Sequence, residues 1–428
     1  MTNFKDSGIE WLDKIPEHWE IKPLKAVFNQ RNEQNTNLKL HTILSLIKDI
    51  GVVPYEEKGN IGNKSKEDLQ SYKIARINDL VLNKMNAVIG SLGVSAYNGL
   101  VSPIYLVFYI NSPKYLMSYY SYLFQIKNVQ KFLKIYAYGI MEIRESIDYL
   151  DFKKMSLPVP PLKEQKQIAN FLDEKCKQIA NFIEKKEKLI NLLKEQKQAL
   201  INETITKGLD KNVNFKDSGI EWLGKIPQHW EVKRLANFGT FLKGNGISRQ
   251  DLVEYGEPAI LYGDIYTKYQ IKTHFLYSKI SKKTLLSTTP IYNGDILFSG
   301  SGETKEDIGK SIVYLGDDNA FAGGDVIIFR QKENNALFLS YVLNTKYANF
   351  CKSINSKGEI MVHIYASNLK DIKIPLPPLK EQEQIANFLD EKCEKIDLLI
   401  EKTEKQIKLI KEYKTTLINQ AVCGRINL

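Results

Sequence analysis

The sequence predicts an α+β fold: two domains with mixed β-sheets, carried on two long antiparallel coiled-coil helices, with an internal pseudo-two-fold duplication. Three observations predict it. A near-identical repeat appears in both halves of the 428 residues, two long segments lack proline and glycine, and short β-rich runs are punctuated by glycine, asparagine and serine.

The repeat has two parts. Residues 3–24 return as 214–235 with 18 of 22 positions identical, and residues 158–176 return as 375–393 with 17 of 19 identical. The stretches between them show no comparable alignment, so one frame carries two different inserts. The boundaries that follow are 1–157 and 208–374 for a lead segment with its insert, and 158–207 and 375–428 for a helix.

Each copy of the frame ends in a predicted helix. After Pro160 and Pro161, which suit a first helical turn, no proline or glycine occurs from 163 to 205. Steps of four and three residues reach mostly apolar positions in both copies, which is the seam pattern of a coiled coil. The predicted seam comprises Leu172, Ile179, Ile183, Ile190, Leu193, Leu200, Leu389, Ile396, Ile400, Ile407, Ile410 and Leu417.

A helix of that length spans ~65 Å, too long to bury its apolar stripe within one small domain. It therefore needs a partner helix, and the pseudo-symmetry of a duplicated chain favours antiparallel pairing with the other copy. Two helices packed separately on their own domains are the alternative.

The inserts hold 22 of the 23 tyrosines. The net charge is +6 over residues 20–154, +3 over residues 231–373 and +10 over the whole chain. A moderately basic chain favours polyanionic partners, and DNA, RNA or an acidic protein all fit this balance. Each tyrosine taken singly is better explained by packing.

Several classes of function lack their motifs. No apolar run is long enough to span a membrane and no export signal begins the chain, so we expect a cytoplasmic protein. The four cysteines and five histidines show no metal-ligand spacing. FSGSG at 298–302 matches a methyltransferase cofactor loop, but the catalytic N-P-P-Y or D-P-P-Y partner is absent. A self-contained DNA methyltransferase or nuclease using this loop is the alternative function, and an RNA-binding coiled-coil protein is a third.

Two motifs point to a family. The first is P-x-P-P-L-K-E-Q-x-Q-I-A-N-F-L-D at Pro158 and Pro375, and the second is G-I-E-W-L-x-K-I-P-x-H-W-E at Gly8 and Gly219. With the inserts between them, the chain resembles the specificity subunits of type I restriction-modification systems over essentially its whole length.

The resemblance implies a non-catalytic, sequence-specific DNA-binding subunit. Each insert would be a target-recognition domain reading one half of a bipartite, asymmetric site in double-stranded DNA. The helices would set the spacing and dock two modification (methyltransferase) subunits, and restriction subunits, which translocate and cleave, would join that core. No cofactor is expected on this chain, and S-adenosylmethionine is expected on the modification subunits. The segments resembling DNA-facing loops supply Lys84, Asn86, Ser91, Lys243, Asn245, Ser299, Ser301, Thr304 and Lys305.

Overall fold

The computed structural model of the chain describes residues 3–48, 50–59, 68–138, 146–221, 223–359, 361–426 and 428. These form two compact units, one of residues 1–186 with 405–428 and the other of residues 187–404. Each unit contains one lead segment and one insert. The two long helices are each shared between the units, so the units do not end where the repeat ends.

The first unit holds fourteen strands among its described residues: β1 Phe4–Asp6, β2 Lys14–Pro16, β3 Glu20–Pro23, β4 Asn29–Gln30, β5 Leu44–Ile47, β6 Gly51–Pro54, β7 Lys73–Ala75, β8 Leu80–Asn83, β9 Leu92–Val94, β10 Gly99–Val101, β11 Tyr105–Tyr109, β12 Ala137–Tyr138, β13 Ser146–Ile147 and β14 Ser156–Val159. Its helices are α1 Leu24–Val27, α2 Met117–Gln125, α3 Lys127–Phe132 and α4 Tyr149–Phe152, followed by the long α5 Leu162–Lys207.

The second unit holds fifteen strands among its described residues: β15 Phe215–Asp217, β16 Lys225–Pro227, β17 Glu231–Arg234, β18 Thr240–Lys243, β19 Leu252–Ile260, β20 Lys272–Thr273, β21 Ser278–Ile280, β22 Thr289–Ile291, β23 Ile296–Ser299, β24 Ser301–Gly302, β25 Ser311–Tyr314, β26 Ala320–Ala322, β27 Val326–Arg330, β28 Val362–His363 and β29 Lys373–Leu376. Its helices are α6 Tyr262–Thr267, α7 Ala336–Leu343, α8 Lys346–Ile354 and α9 Ala366–Lys370, followed by the long α10 Leu379–Val422.

The two inserts have the same central sheet although their sequences do not align. The order is β4-β11-β8-β9 in the first insert and β18-β27-β23-β25 in the second, which adds β20 at its edge. Neighbours in the four-strand core are antiparallel in both inserts. The duplication therefore includes the inserts. Their central strands are buried along their length, and a sheet core tolerates extensive exchange of apolar side chains while its topology is kept.

A second sheet mixes strand directions. In the second insert its order is β21-β19-β26-β22, with β19 and β26 parallel and the other pairs antiparallel. The first insert has the hairpin β5-β6 and the antiparallel pair β7-β10, joined by a parallel bridge between Ile43 and Leu100. The predicted α+β class with mixed sheets is confirmed.

The frame closes each insert at its base. Strand β3, which enters the first insert, pairs antiparallel with β14, which leaves it, and β17 pairs with β29 in the same way. The two chain ends of each insert thus lie side by side. Exchange of the residues between them leaves this two-stranded ribbon intact.

The long helices run antiparallel in both units. In the first unit Leu172 near the start of α5 shares a core with Leu417 near the end of α10, and in the second Ile201 near the end of α5 shares a core with Leu389 near the start of α10. Each of the twelve predicted seam residues is buried or half-buried, so the stripe faces protein along its length.

Candidate nucleic-acid interface

Each insert is fixed to its helix by one buried glutamine from the P-P-L-K-E-Q motif. Gln165 donates from Nε2 to the carbonyls of Pro160 at 2.8 Å and Lys114 at 3.1 Å, and its Oε1 accepts from the backbone N of Leu116 at 2.8 Å. In the second copy Gln382 accepts from the backbone N of Asn335 at 2.9 Å. The backbone groups bonded by Oε1 belong to the N-caps of α2 and α7, so the frame holds insert helices largely through main-chain atoms.

In the first insert, the predicted residues lie on the connection between β8 and β9. Lys84 is half-buried and Asn86 is exposed. Lys84 lines a cavity of about 580 Å³ together with Lys73, and the lining contains no carboxylate. Burial, and secondarily the charge of Lys84, lower the pKa of Lys73, whose Nζ donates to the carbonyl of Tyr105 at 2.7 Å. A cavity with two lysines and no acid is suited to a phosphate group.

Ser91, the third predicted residue of this loop, needs correction. Its side chain is buried, with the residue 4% exposed. Its backbone N donates to the carbonyl of Asn86, and its own carbonyl accepts from the backbone N of Asn83, so the residue closes the loop from inside. A buried hydroxyl cannot reach a DNA groove, and Ser91 supports the positions of Lys84 and Asn86 instead.

In the second insert, the predicted DNA-facing residues come from two segments, one with Lys243 and Asn245 and the other from Ser299 to Lys305. The structure brings both segments to one turn, which the sequence reading missed. The turn is Gly323–Val326, closed by the Val326 N donating to the Gly323 carbonyl at 3.0 Å. The backbone N of Asn245 donates to the carbonyl of Ala322, just before the turn, and the backbone N of Gly300 donates to that of Asp325 within it. Lys243 and Asn245 are exposed beside it.

Ser299 and Ser301 also need correction, because they are 0% and 1% exposed. The hydroxyl of Ser299 donates to the Ser301 carbonyl at 2.6 Å, and that of Ser301 shares a hydrogen bond of 2.9 Å with Nδ1 of His363. Both serines hold the loop in shape. A Cβ built on Gly302 would lie 2.7 Å from the hydroxyl oxygen of Tyr266, so this glycine of FSGSG makes room for a protein side chain.

The predicted residues Thr304 and Lys305 are exposed, and Thr304 lines an open cleft of about 1330 Å³ that lies wholly within the second unit. The cleft also has side chains that sequence reasoning missed, notably Arg249, Lys268, Glu303 and Asp325. The sequence did contain one local pattern that marks the turn carrying Arg249. Arg249 follows Ser248 in S-R-Q-D, a capping-box pattern, and Ser248 and Asp251 do form that box.

The electrostatics of this cleft differ from those of the first insert. Lys268 pairs with Asp264 at 2.8 Å, whereas Arg249 has no ion pair among the described residues. Tyr266 forms part of one wall; burial raises its pKa, and its hydroxyl donates to the carbonyl of Asp307 at 3.1 Å. The ring of Tyr266 is therefore held in the wall by a neutral hydrogen bond.

Within the described ranges, no cluster of three or more histidine, cysteine, aspartate or glutamate side chains is arranged to hold a metal ion. In that same part of the chain, no helix has both the length and the apolar character required to cross a membrane. All four cysteines are free, with Cys393 and Cys423 buried and Cys176 and Cys351 half-buried.

Comparison with known sequences gives two matches to one family, the type I restriction modification DNA specificity domain, at residues 16–202 and 227–409. The chain is 26% identical over its full length to 97% of a protein of Methanocaldococcus jannaschii assigned as the type I restriction enzyme MjaX specificity subunit. It is 28% identical, over 72% of this chain and 70% of the relative, to the MjaVIII specificity subunit of that organism.

Two solved structures share the fold. A chain of a type I R-M system, from a study of complex assembly and conformational transition, superposes with a TM-score of 0.71 at 16% identity, over 96% of this chain and 99% of its own. The HsdS subunit of Thermoanaerobacter tengcongensis superposes with a TM-score of 0.54 at 16% identity, over 98% of this chain and all of its own.

Proposed function

Because this chain belongs to the family of type I restriction-modification DNA specificity domains and is a DNA-recognition subunit, we propose that each insert reads one half of a bipartite, asymmetric site in double-stranded DNA. The observation that carries this proposal is the shared sheet order of two inserts whose sequences do not align. One scaffold presenting two different surfaces suits recognition of two different half-sites.

The surfaces themselves support unlike half-sites. The cavity of the first insert is lined by two lysines, and the cleft of the second by arginine, lysine and four carboxylates. Phosphate contacts supply affinity without sequence information, whereas base-edge contacts supply choice. The cavity of the first insert would therefore contribute mainly affinity through phosphate contacts, and the cleft of the second mainly sequence choice through base-edge contacts.

The long helices are the segments common to both units and are the natural ruler between the half-sites. Since the frame is duplicated, it offers two equivalent docking places, and we infer two identical modification subunits. These partners would bind S-adenosylmethionine and transfer the methyl group, while restriction subunits would translocate and cleave. The site of action would be the cytoplasm, where such a complex meets genomic DNA.

The first experiment exchanges residues 25–157 for the insert of another family member and maps methylated bases in cells carrying the modification subunit. Only one half of the methylated motif should change, because β3 and the Pro158–Val159 half of β14 remain to pair at the base of the new insert. A change in both halves together would contradict the assignment of one half-site to each insert.

The second experiment tests the ruler by adding one heptad after Lys186 and one after Thr403, which keeps the seam in phase. Seven residues add ~10 Å, equivalent to about three base pairs of ~3.4 Å, and three pairs turn the groove by about a quarter of a turn. Either the motif keeps its half-sites with a longer gap, or specific binding is severely weakened in a variant that still assembles. Methylation at the original spacing with normal affinity would show that the helices do not measure the distance.

A further inference from the structure

The cleft of the second insert is kept open by a glycine that the fold itself does not require. Gly324 has a φ outside the left-handed region, and a Cβ built on it would have no heavy atom within 4 Å. Among the described glycines, Gly324 alone combines these two properties. Neither backbone conformation nor internal packing explains the missing side chain, whereas access to the cleft does, because a backbone without a side chain allows a ligand to approach closely.

The lining of the cleft has a second bare position, with a cation beside it. A Cβ on Gly263 would meet only Nη2 of Arg249, at 4.0 Å. The loop of Arg249 is fixed by Ser248, whose backbone N and hydroxyl both donate to Oδ2 of Asp251 at 2.7 Å. These hydrogen bonds lower the pKa of Asp251, so the carboxylate that anchors the loop stays ionised. The guanidinium is thus presented from a defined backbone.

The volume and charge of the cleft narrow the class of ligand. Its volume of about 1330 Å³ is larger than the ~300–1,000 Å³ of typical small-molecule pockets. After the pairing of Lys268 with Asp264, the remaining ionisable lining consists of Arg249 against Glu303, Asp307 and Asp325, apart from the tyrosines. With one guanidinium against three carboxylates, the lining has a net negative charge, which repels phosphate groups. It suits base edges, because arginine donates to O6 and N7 of guanine and carboxylates accept from the amino group of cytosine.

We propose that this cleft reads the base edges of the second half-site, with Arg249 as a specificity-determining residue for guanine, Glu303 and Asp325 as acceptors from base amino groups, and Gly263 and Gly324 as clearance for the groove wall. The proposal rests on the proposed function, since it names the surface by which the second insert chooses its DNA. It also separates the inserts chemically, because the lysine-lined cavity of the first contains no carboxylate.

The test uses the full chain assembled with its modification subunit and duplexes carrying the motif mapped in the genome, with each half-site altered in turn. The variants are Arg249→Ala and Gly324→Leu, and the control is Asn319→Leu, an exposed residue in the same insert that does not line the cleft. Both cleft variants should lose roughly tenfold to hundredfold in discrimination at the second half-site alone, as expected for a lost base contact. The control should bind as the unaltered chain does, and the variants should keep their melting temperature.

The salt dependence decides between a base and a phosphate contact for Arg249. Loss of a base contact leaves unchanged the slope of log affinity against log salt concentration. Loss of a phosphate contact weakens binding to all sequences and reduces the magnitude of that slope by about one. Three results would overturn the proposal. They are weaker binding of Arg249→Ala to all sequences with a smaller salt slope, loss of discrimination at the first half-site, and unchanged discrimination in both variants. If the unaltered complex itself fails to distinguish the motif from other duplexes, the proposed function fails instead, which is a separate result.

Discussion

Trp19 and Glu164 lie 145 residues apart and are joined by a hydrogen bond of 2.8 Å from the indole Nε1 to Oε2. The second copy repeats this bond between Trp230 and Glu381 at 3.1 Å. Both tryptophans are buried, at 1% and 0% exposure. The lead motif and the helix motif, which the sequence shows only as separate repeats, are thus two sides of one joint in each unit.

Glu164→Ala should loosen the first unit and leave the second unit as it was. The substitution removes the acceptor of a buried indole N–H, which costs ~1–3 kcal/mol. Hydrogen exchange should accelerate in β3 and β14, and Glu381→Ala should produce the same effect in β17 and β29. Glu383→Ala, at an exposed residue of the same motif, is the control. Equal exchange in Glu164→Ala and the unaltered chain would show that the joint contributes nothing to stability.

Gln165→Leu should release α2 from the helix frame. The substitution leaves two carbonyls and one N–H of the main chain without their partner, and each unsatisfied buried group costs ~1–3 kcal/mol. We expect faster hydrogen exchange in the first turn of α2 and a lower melting temperature. The matched control is Gln167→Leu, an exposed glutamine two residues away. Similar behaviour of the two variants would contradict the anchoring role of Gln165.

Ile183→Asp should damage assembly more than either insert. Ile183 is half-buried and packs against the core of the first unit, to which both α5 and α10 contribute, and an unpaired carboxylate there costs several kcal/mol unless the helices separate. Asn181→Asp makes the same change in charge at an exposed position and should change stability by less than ~0.5 kcal/mol. Denaturant unfolding and binding of the modification subunit measure the difference. Unchanged values for Ile183→Asp would place this residue outside a buried seam.

Lys352 should make stability depend on pH above neutrality. It is 0% exposed, its Nζ donates to the carbonyls of Gly309 and Leu343 at 2.8 Å each, and burial lowers its pKa to about 7. Between this value and the ordinary 10.5 the unfolded chain binds more protons, so the contribution to stability rises with pH across this window, by at most ~1.4 kcal/mol per unit. Below about 7 the side chain is protonated in the folded chain too, so the full penalty for burying the charged ammonium is present.

The measurement is denaturant unfolding at pH 7, 8.5 and 10 of the unaltered chain and of Lys352→Met, because the difference between the two cancels most other titrating groups. As pH rises, the free energy of unfolding of the unaltered chain should increase relative to that of Lys352→Met. Lys370→Met, at an exposed lysine of the same unit, should show no such trend. A flat difference between the unaltered chain and Lys352→Met would mean that the amine titrates alike in the folded and unfolded chains.

The sequence by itself determined the duplication, the two helices and the alternation of frame and insert. Those features depend on local signals: the segment from 163 to 205, which lacks proline and glycine, becomes α5 Leu162–Lys207. Periodicity and turn residues act over a few neighbours along the chain, so reading them needs no knowledge of distant contacts.

Only the tertiary structure decided which predicted residues face a ligand. Ser91, Ser299 and Ser301 share the composition of a DNA-facing loop, yet their hydroxyls point into protein. Arg249 lies on the cleft because the α6 region and the turn Gly323–Val326 are brought beside it. Exposure depends on which distant segments pack over a residue. The common sheet order of the inserts is equally invisible in the sequence, because many different side chains satisfy the same pairing of strands.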